Sequence, residues 1–188
     1  RHVLYGNPGT GYGLDVALFQ PEDGAEKSLL VGAEYEQLQD FIQAGAVYNY
    51  AIPGAEDPAA LLGTYFEGGD VTVRRLGREI ATGDFDGNGL TDVVYAANDR
   101  RGLFNNDYGT IFIRWGDIPT AGVWQLVASQ SDSFGGFFGA RLSVADLNLD
   151  GIDDLVAGDP RGFPALLTEN SRAAIFYGDE HLGPWAGE

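Results

Sequence analysis

The chain has 188 residues, of which 44% are hydrophobic and 21% charged, and it carries a formal net charge of −17 with no cysteine and no methionine. That length and composition suit one or two folded domains with a real core, while the acid excess argues against nucleic acid or anionic membrane as partner, since both demand basic surface. Disulfides and zinc–thiolate centres are excluded, and no run is long and apolar enough to cross a membrane, so direct membrane insertion is not expected.

A first residue other than Met, with no secretory signal, predicts a processed, excised or tag-trimmed product, a reading that leaves room for a lost targeting segment. The 28 glycines fit the many tight turns of an all-β protein.

The chain opens with Val3-Leu4-Tyr5 and then Gly6-Asn7-Pro8-Gly9-Thr10-Gly11, which imitates a phosphate-cradling loop. Tyr12 stands where the phosphate-binding Lys must be and Gly13 where the Mg²⁺-binding Ser or Thr belongs, and no helical stretch follows. A Gly-rich turn between strands is the better reading. Val16–Phe19, Leu29–Val31 and Gly45–Tyr50 then read as strands of a degraded first unit. Its connecting loop offers Gln20, Glu22, Gly24 and Ser28, a set too poor in carboxylates to hold a metal. Residues 34–43 form a polar connection open to a helical reading, and 55–60 a Pro-containing linker.

Thr64–Phe66 and Val71–Arg75 read as strands before a second unit, in which Ile80–Gly83 and Val93–Ala96 flank an acidic loop. That loop places Asp84, Asp86, Asn88 and Asp92 at positions 1, 3, 5 and 9, with Gly89 at position 6 for the sharp turn and the carbonyl of Leu90 at position 7. Alternating oxygens wrapped around a glycine turn are what Ca²⁺ needs to gather its roughly 6–8 ligands. Residues 97–108 are a polar excursion, Thr110–Trp115 alternates as a half-buried strand does, and Val123–Ala128 is an outer strand.

The pattern then recurs. Between Leu142–Ala145 and Leu155–Ala157 lie Asp146, Asn148, Asp150 and Asp154, with Gly151 at position 6 and Ile152 at position 7. Position 12 is Ala157 rather than the bidentate Glu of an EF-hand, and the flanks are β-rich, so this is a calcium loop between strands. Asp84 and Asp146 stand 62 residues apart, as do Gly77 and Gly139, which makes the two loops one internal repeat in register. Residues 159–172 form a second long excursion and Ala173–Tyr177 a closing strand. Each unit holds about four short strands, the size of one propeller blade.

Phe138-Gly139, the Asp146–Asp154 loop and Val156-Ala157-Gly158-Asp159-Pro160 resemble an FG-GAP repeat, the blade unit of the integrin α-subunit propeller. The second unit resembles it through its loop, with Leu76-Gly77 for Phe-Gly and Ala96-Ala97-Asn98 for Gly-Ala-Pro. The first keeps only Tyr12-Gly13 and Gly32-Ala33-Glu34. The resemblance implies an all-β, β-propeller-like chain of about three four-stranded blades, at 10–54 (degenerate), 74–118 and 135–180, forming a partial propeller or part of a larger one. It also implies two Ca²⁺ ions, held by Asp84, Asp86, Asn88, Leu90 and Asp92 and by Asp146, Asn148, Asp150, Ile152 and Asp154. The family's calcium loops lie on one face and its partner-binding loops on the other. Carried over, those loops are 34–44, 98–108 and 160–172, bearing Tyr35, Phe41, Arg100, Arg101, Phe104, Arg161 and Phe163; Arg and aromatic residues are favoured at interaction hot spots.

No catalytic constellation is expected. His2 and His181 lie near the ends, and Asp153 beside Asp154 is no carboxylate pair if both occupy a strand, since neighbours there face opposite ways. The function these features imply is a calcium-stabilised extracellular or cell-surface recognition and adhesion module for a protein partner. Alternatives are a structural subunit of a surface assembly that self-associates through propeller edges, because three open blades leave edges to cover, and a glycan binder using Trp115, Trp124 or Trp185, residues better explained by core packing. An accessory part of a secreted hydrolase ranks last.

Overall fold

Short runs of Val, Ile, Leu and aromatic residues, bounded by Gly, Asn and Asp, form strands throughout. The computed structural model describes residues 3–20, 27–37, 44–52, 60–65, 75–101, 107–116, 125–129, 137–160 and 172–179. Its strands are β1 (Tyr12–Phe19), β2 (Ser28–Ala33), β3 (Ala46–Ala51), β4 (Leu61–Tyr65), β5 (Leu76–Gly83), β6 (Asp92–Arg101), β7 (Asp107–Arg114), β8 (Gln125–Ser129), β9 (Arg141–Ala145), β10 (Asp154–Asp159) and β11 (Arg172–Phe176). There is no helix among the described residues, including 34–37 of the connection open to a helical reading.

The strands make three antiparallel sheets in which sequence neighbours are spatial neighbours: β1-β2-β3-β4, β5-β6-β7-β8 and β9-β10-β11. The chain is therefore all-β, in three blade-like sheets. β4 pairs with β3 and β8 with β7, so these outer strands close their own sheets, which run past residues 54 and 118.

The middle sheet is buried on both faces, and this explains the unbroken apolar run Val93–Ala97. One core joins it to the first sheet: Leu76, Ile80, Val93, Tyr95, Ala97 and Phe112 pack on Phe19, Leu30 and Val47. A second core joins it to the third: Ala81, Phe85, Val94, Ile111, Ile113 and Trp115 pack on Phe138, Leu155 and Ala157. Fully burying a side chain such as these is worth about 1.5–3 kcal/mol, so the sheets are held chiefly face to face.

Glycine lets the sheets approach. Gly77 has φ +82°, and a Cβ there would lie 2.5 Å from the Ala46 carbonyl oxygen and 2.9 Å from Val47 Cγ2. Beside it, the Leu76 N–H donates to the Ala44 carbonyl at 3.1 Å and Leu76 bridges Gly45 in parallel. At the next junction Gly109 lies directly under the Phe138 backbone, where no side chain fits. Gly13 shares the φ of +82°, yet nothing lies within 4 Å of where its Cβ would be. On that open side Leu14, Val16 and Leu18 of β1 are exposed.

Three expectations are corrected. Arg75 is not in a strand; it takes φ +58°, a left-handed turn into β5. Arg100 and Arg101 do not lie in a loop, because β6 continues through them, pairing Arg100 with Tyr108 and Arg101 with Asp107. Asp153 precedes β10 rather than occupying a strand beside Asp154. The Gly-rich start forms a turn at Pro8–Thr10 tied to the end of β2: the Tyr35 N–H donates to the Thr10 carbonyl at 2.8 Å, and Asn7 Nδ2 to Glu36 at 3.3 Å. Its contacts are those of a structural corner.

Candidate metal centre

Both acidic loops connect the first and second strands of their sheets, 84–91 between β5 and β6 and 146–153 between β9 and β10. In each, the side chain at position 1 organises the turn. Asp84 Oδ2 accepts from the Gly89 N–H at 2.9 Å, and Asp146 Oδ2 accepts from the Gly151 N–H at 3.0 Å. The next oxygens fold back on the loop too: Asn88 Oδ1 accepts from Leu90 N–H (2.7 Å), and Asp150 Oδ1 from Ile152 N–H (2.9 Å). These local bonds keep the alternating side chains turned inward on the turn.

Position 9 is a buried strut. Asp92 and Asp154 are fully buried. Asp92 accepts from the Phe85 N–H at 2.9 Å and the Gly116 N–H at 2.8 Å. Asp154 repeats this with Leu147 N–H at 2.8 Å and Gly178 N–H at 2.9 Å. Each carboxylate thus ties the loop to the segment that leaves the third strand of its sheet. Gly116 and Gly178 are also 62 residues apart, a signal in the sequence that could have marked them as partners of these acids.

The first loop fits a cation on its own geometry. Carboxylate oxygens of Asp84, Asp86 and Asp92 converge within 4.8 Å of one another, the one such acid group among the described residues. Asp84 Oδ1 is shut off from solvent and meets no hydrogen-bond donor, a costly state for a charged oxygen that a hard cation would relieve. Burial pushes the Asp92 carboxyl up to about 7, further raised by Asp86 and Asp84 and opposed by the hydrogen bonds from Gly116 and Phe85. Three acids held this close repel one another unless a positive charge joins them.

The second loop is more open. Asn148 Nδ2 donates to Asp150 at 2.7 Å, and the Asp150 N–H donates to Asp146 and to Asn148 at 3.2 and 3.1 Å. Its donor set suits the same ion, and all five residues are present, but its acids lie outside the 4.8 Å grouping.

A difference in support accompanies this. The first loop is clamped by the third sheet: Asp84 N–H donates to Asp153 Oδ2 at 3.0 Å, Asp153 N–H to the Asp84 carbonyl at 3.0 Å, and Asp179 N–H to the Phe85 carbonyl at 3.2 Å. Sequence reasoning weighed Asp153 only as half of a carboxylate pair and missed this clamping role, which arises only when two sheets meet. Asp15 on β1 acts similarly, accepting from Ile80 N–H at 2.6 Å.

The residues expected to face a partner are less assembled. Tyr35 follows β2 with its ring 5.4 Å from the Arg75 guanidinium, a cation–π contact. Arg100 and Arg101 are strand residues, as above. Phe41, Phe104, Arg161 and Phe163 lie outside the described residues, as do His2, His181, Trp124 and Trp185. Trp115 is buried in the second core, so its ring is not free to stack on a sugar.

Comparison with known proteins places the second loop inside a recognised repeat. The family model for the FG-GAP repeat matches residues 138–176, the span of the third sheet. Over 85 residues the chain is 36% identical to integrin alpha pat-2 of Caenorhabditis briggsae and 35% identical to integrin alpha pat-2 of Caenorhabditis elegans. Those stretches cover 45% of this chain and 6% of each relative.

Proposed function

From the premise that this chain is an FG-GAP repeat protein, with that repeat at residues 138–176, we propose that it is a calcium-stabilised extracellular recognition and adhesion module that binds a protein partner. In the first loop Ca²⁺ is held by Asp84, Asp86, Asn88, the carbonyl of Leu90 and Asp92. In the second it is held by Asp146, Asn148, Asp150, the carbonyl of Ile152 and Asp154. The ion supplies charge neutralisation and rigidity to a tight turn, and makes or breaks no bond. The observation that carries this reading is the solvent-excluded, donorless Asp84 Oδ1 beside two further carboxylates.

The partner meets the opposite ends of the strands, where Tyr35 and the β6–β7 hairpin stand, with Phe41, Arg100, Arg101, Phe104, Arg161 and Phe163 supplying contacts. Resemblance to proteins named integrin alpha supports both the adhesive role and the cell-surface setting. Weak extracellular calcium modules with dissociation constants of about 10⁻⁴–10⁻³ M belong to that setting.

The test is thermal unfolding with Ca²⁺ and with excess chelator. At ~100–1,000 times the dissociation constant, linkage gives about 3–4 kcal/mol of stabilisation. A midpoint restored by Ca²⁺ and not by Mg²⁺ supports the reading; a midpoint indifferent to chelation overturns it. A second reading, association through sheet edges and faces, is favoured by the exposed Leu14, Val16 and Leu18 on β1. Sedimentation showing a monomer across micromolar concentrations would count against it.

A further inference from the structure

The first acidic loop holds an Asn-Gly pair in a reactive arrangement. Asn88 and Gly89 are both exposed to water. The Gly89 N–H is aimed at Asp84 Oδ2, 2.9 Å away, so a carboxylate sits on the one nitrogen able to attack the neighbouring side chain. Asn88 Oδ1 accepts from the Leu90 N–H at 2.7 Å, so a donor sits on the oxygen that gains charge during such an attack. Asn88 Nδ2, the group that would leave, donates to Asp86 Oδ2 at 2.9 Å. Base, nucleophile, electrophile and oxyanion donor thus share one turn, and proximity and preorganised donors are what accelerate such reactions.

We infer that Asn88 is a self-modification site, converting through a cyclic imide to aspartate and isoaspartate while the loop is free of cation. Asp84 takes the Gly89 amide proton as that nitrogen bonds to Asn88 Cγ. The Cγ–Nδ2 bond then breaks and ammonia leaves with the proton restored to it. Water opens the imide at Cγ, giving aspartate, or at the former backbone carbonyl, giving isoaspartate. Asparagine and water become acid and ammonia, and no oxidant or cofactor enters. Gly89 favours this, because it has no Cβ to crowd the ring and takes the φ of +82° that the turn requires.

The second loop is the internal control. Its asparagine, Asn148, is followed by Leu149 and not by glycine, and its position 5 is already Asp150. The aspartate product would therefore give the first loop acids at positions 1, 3 and 5. The isoaspartate product lengthens the backbone by a methylene and breaks the turn. Cation dependence rests on the calcium reading above: an ion held by Asp84 occupies the base and fixes the turn, so conversion records time spent empty.

The experiment incubates the whole chain at mildly alkaline pH with chelator, with excess Ca²⁺, and with chelator in urea, and follows the amide-to-acid mass gain by peptide mapping. Expected is selective gain at Asn88 over Asn148, at least as fast in the folded chain as in urea, slowed several-fold by Ca²⁺ and by Asp84→Asn under chelation. Equal rates at Asn88 and Asn148, or protection of Asn88 by folding, would overturn the inference. Selective conversion indifferent to Ca²⁺ supports the site and counts against the calcium reading instead.

Discussion

Gly77→Ala and Gly13→Ala form a matched pair that isolates the cost of docking one sheet on the next. Both glycines take φ +82°, so the left-handed backbone penalty, about 1–2 kcal/mol for a residue with a Cβ, is common to both. At Gly13 nothing else follows, since no atom lies within 4 Å of the new methyl. At Gly77 the methyl meets the Ala46 carbonyl oxygen at 2.5 Å and Val47 Cγ2 at 2.9 Å. The first of these is backbone fixed in β3 and cannot rotate away. Overpacking of this kind adds about 1–3 kcal/mol. Gly77→Ala should therefore cost ~2–5 kcal/mol and Gly13→Ala ~1–2 kcal/mol. Urea titration of both variants and the parent, in the same Ca²⁺ concentration, reads the difference from the midpoints while the slope stays unchanged. Equal losses in the two variants would refute the claim that Leu76-Gly77 is the plug between the first two sheets.

Leu149 takes φ +64° and is 85% exposed, where the first loop has Gly87 at φ +70°. Leu149→Gly should raise stability by about 0.5–1 kcal/mol, strain relief of ~1–2 kcal/mol exceeding the entropy that glycine adds to the unfolded chain; a lower urea midpoint would show that the leucine makes a contact worth more than its strain. In the cation-free chain the buried Asp92 carboxyl, raised to about 7 from 3.8, binds its proton more tightly folded than unfolded. Its stabilising contribution is complete below about pH 4 and is lost as pH rises toward 7, by up to about 4 kcal/mol. Chelated chain and Asp92→Asn variant melted at pH 5 and pH 8 should differ in that interval, the variant losing less on going to pH 8, and parallel losses would sink the assignment. Ca²⁺ should flatten the parent's decline, because ligation requires the deprotonated acids.

The loops were legible because oxygen side chains stand at alternate positions with a glycine at the sixth, and the 62-residue period repeats both. Most strand centres were legible, Thr110–Trp115 among them, although that stretch is buried on both faces and not on the one its alternation predicted. Strand ends were not. Arg100 and Arg101 look like loop residues by polarity, yet ladder hydrogen bonds to Tyr108 and Asp107 extend the hairpin through them, and backbone pairing is blind to side-chain hydrophobicity. Tyr12 to Asp15 begin β1 across a bulge for the same reason. Arg75 could not be read as a left-handed turn because nothing in a non-glycine residue signals that conformation. The roles of Asp153 and Asp15 were invisible because their partners, Asp84 and Ile80, lie in other sheets. Residues 69 and 65 positions away in the chain have no local pattern to betray them.

The clamp that Asp153 and Asp179 place on Asp84 and Phe85 makes the first acidic loop a hinge pin between the second and third sheets. Coupling free energy is reciprocal: whatever the docked third sheet adds to cation affinity at Asp84, the cation returns as strength of that sheet's attachment. The two acidic loops are then unequal sensors. Among the described residues, filling the first would fasten a neighbouring sheet, while filling the second would tighten the sheet that carries it. A pull on the chain would accordingly feel calcium at the junction ahead of the repeat at 138–176, and the ion would act there as a mechanical fastener.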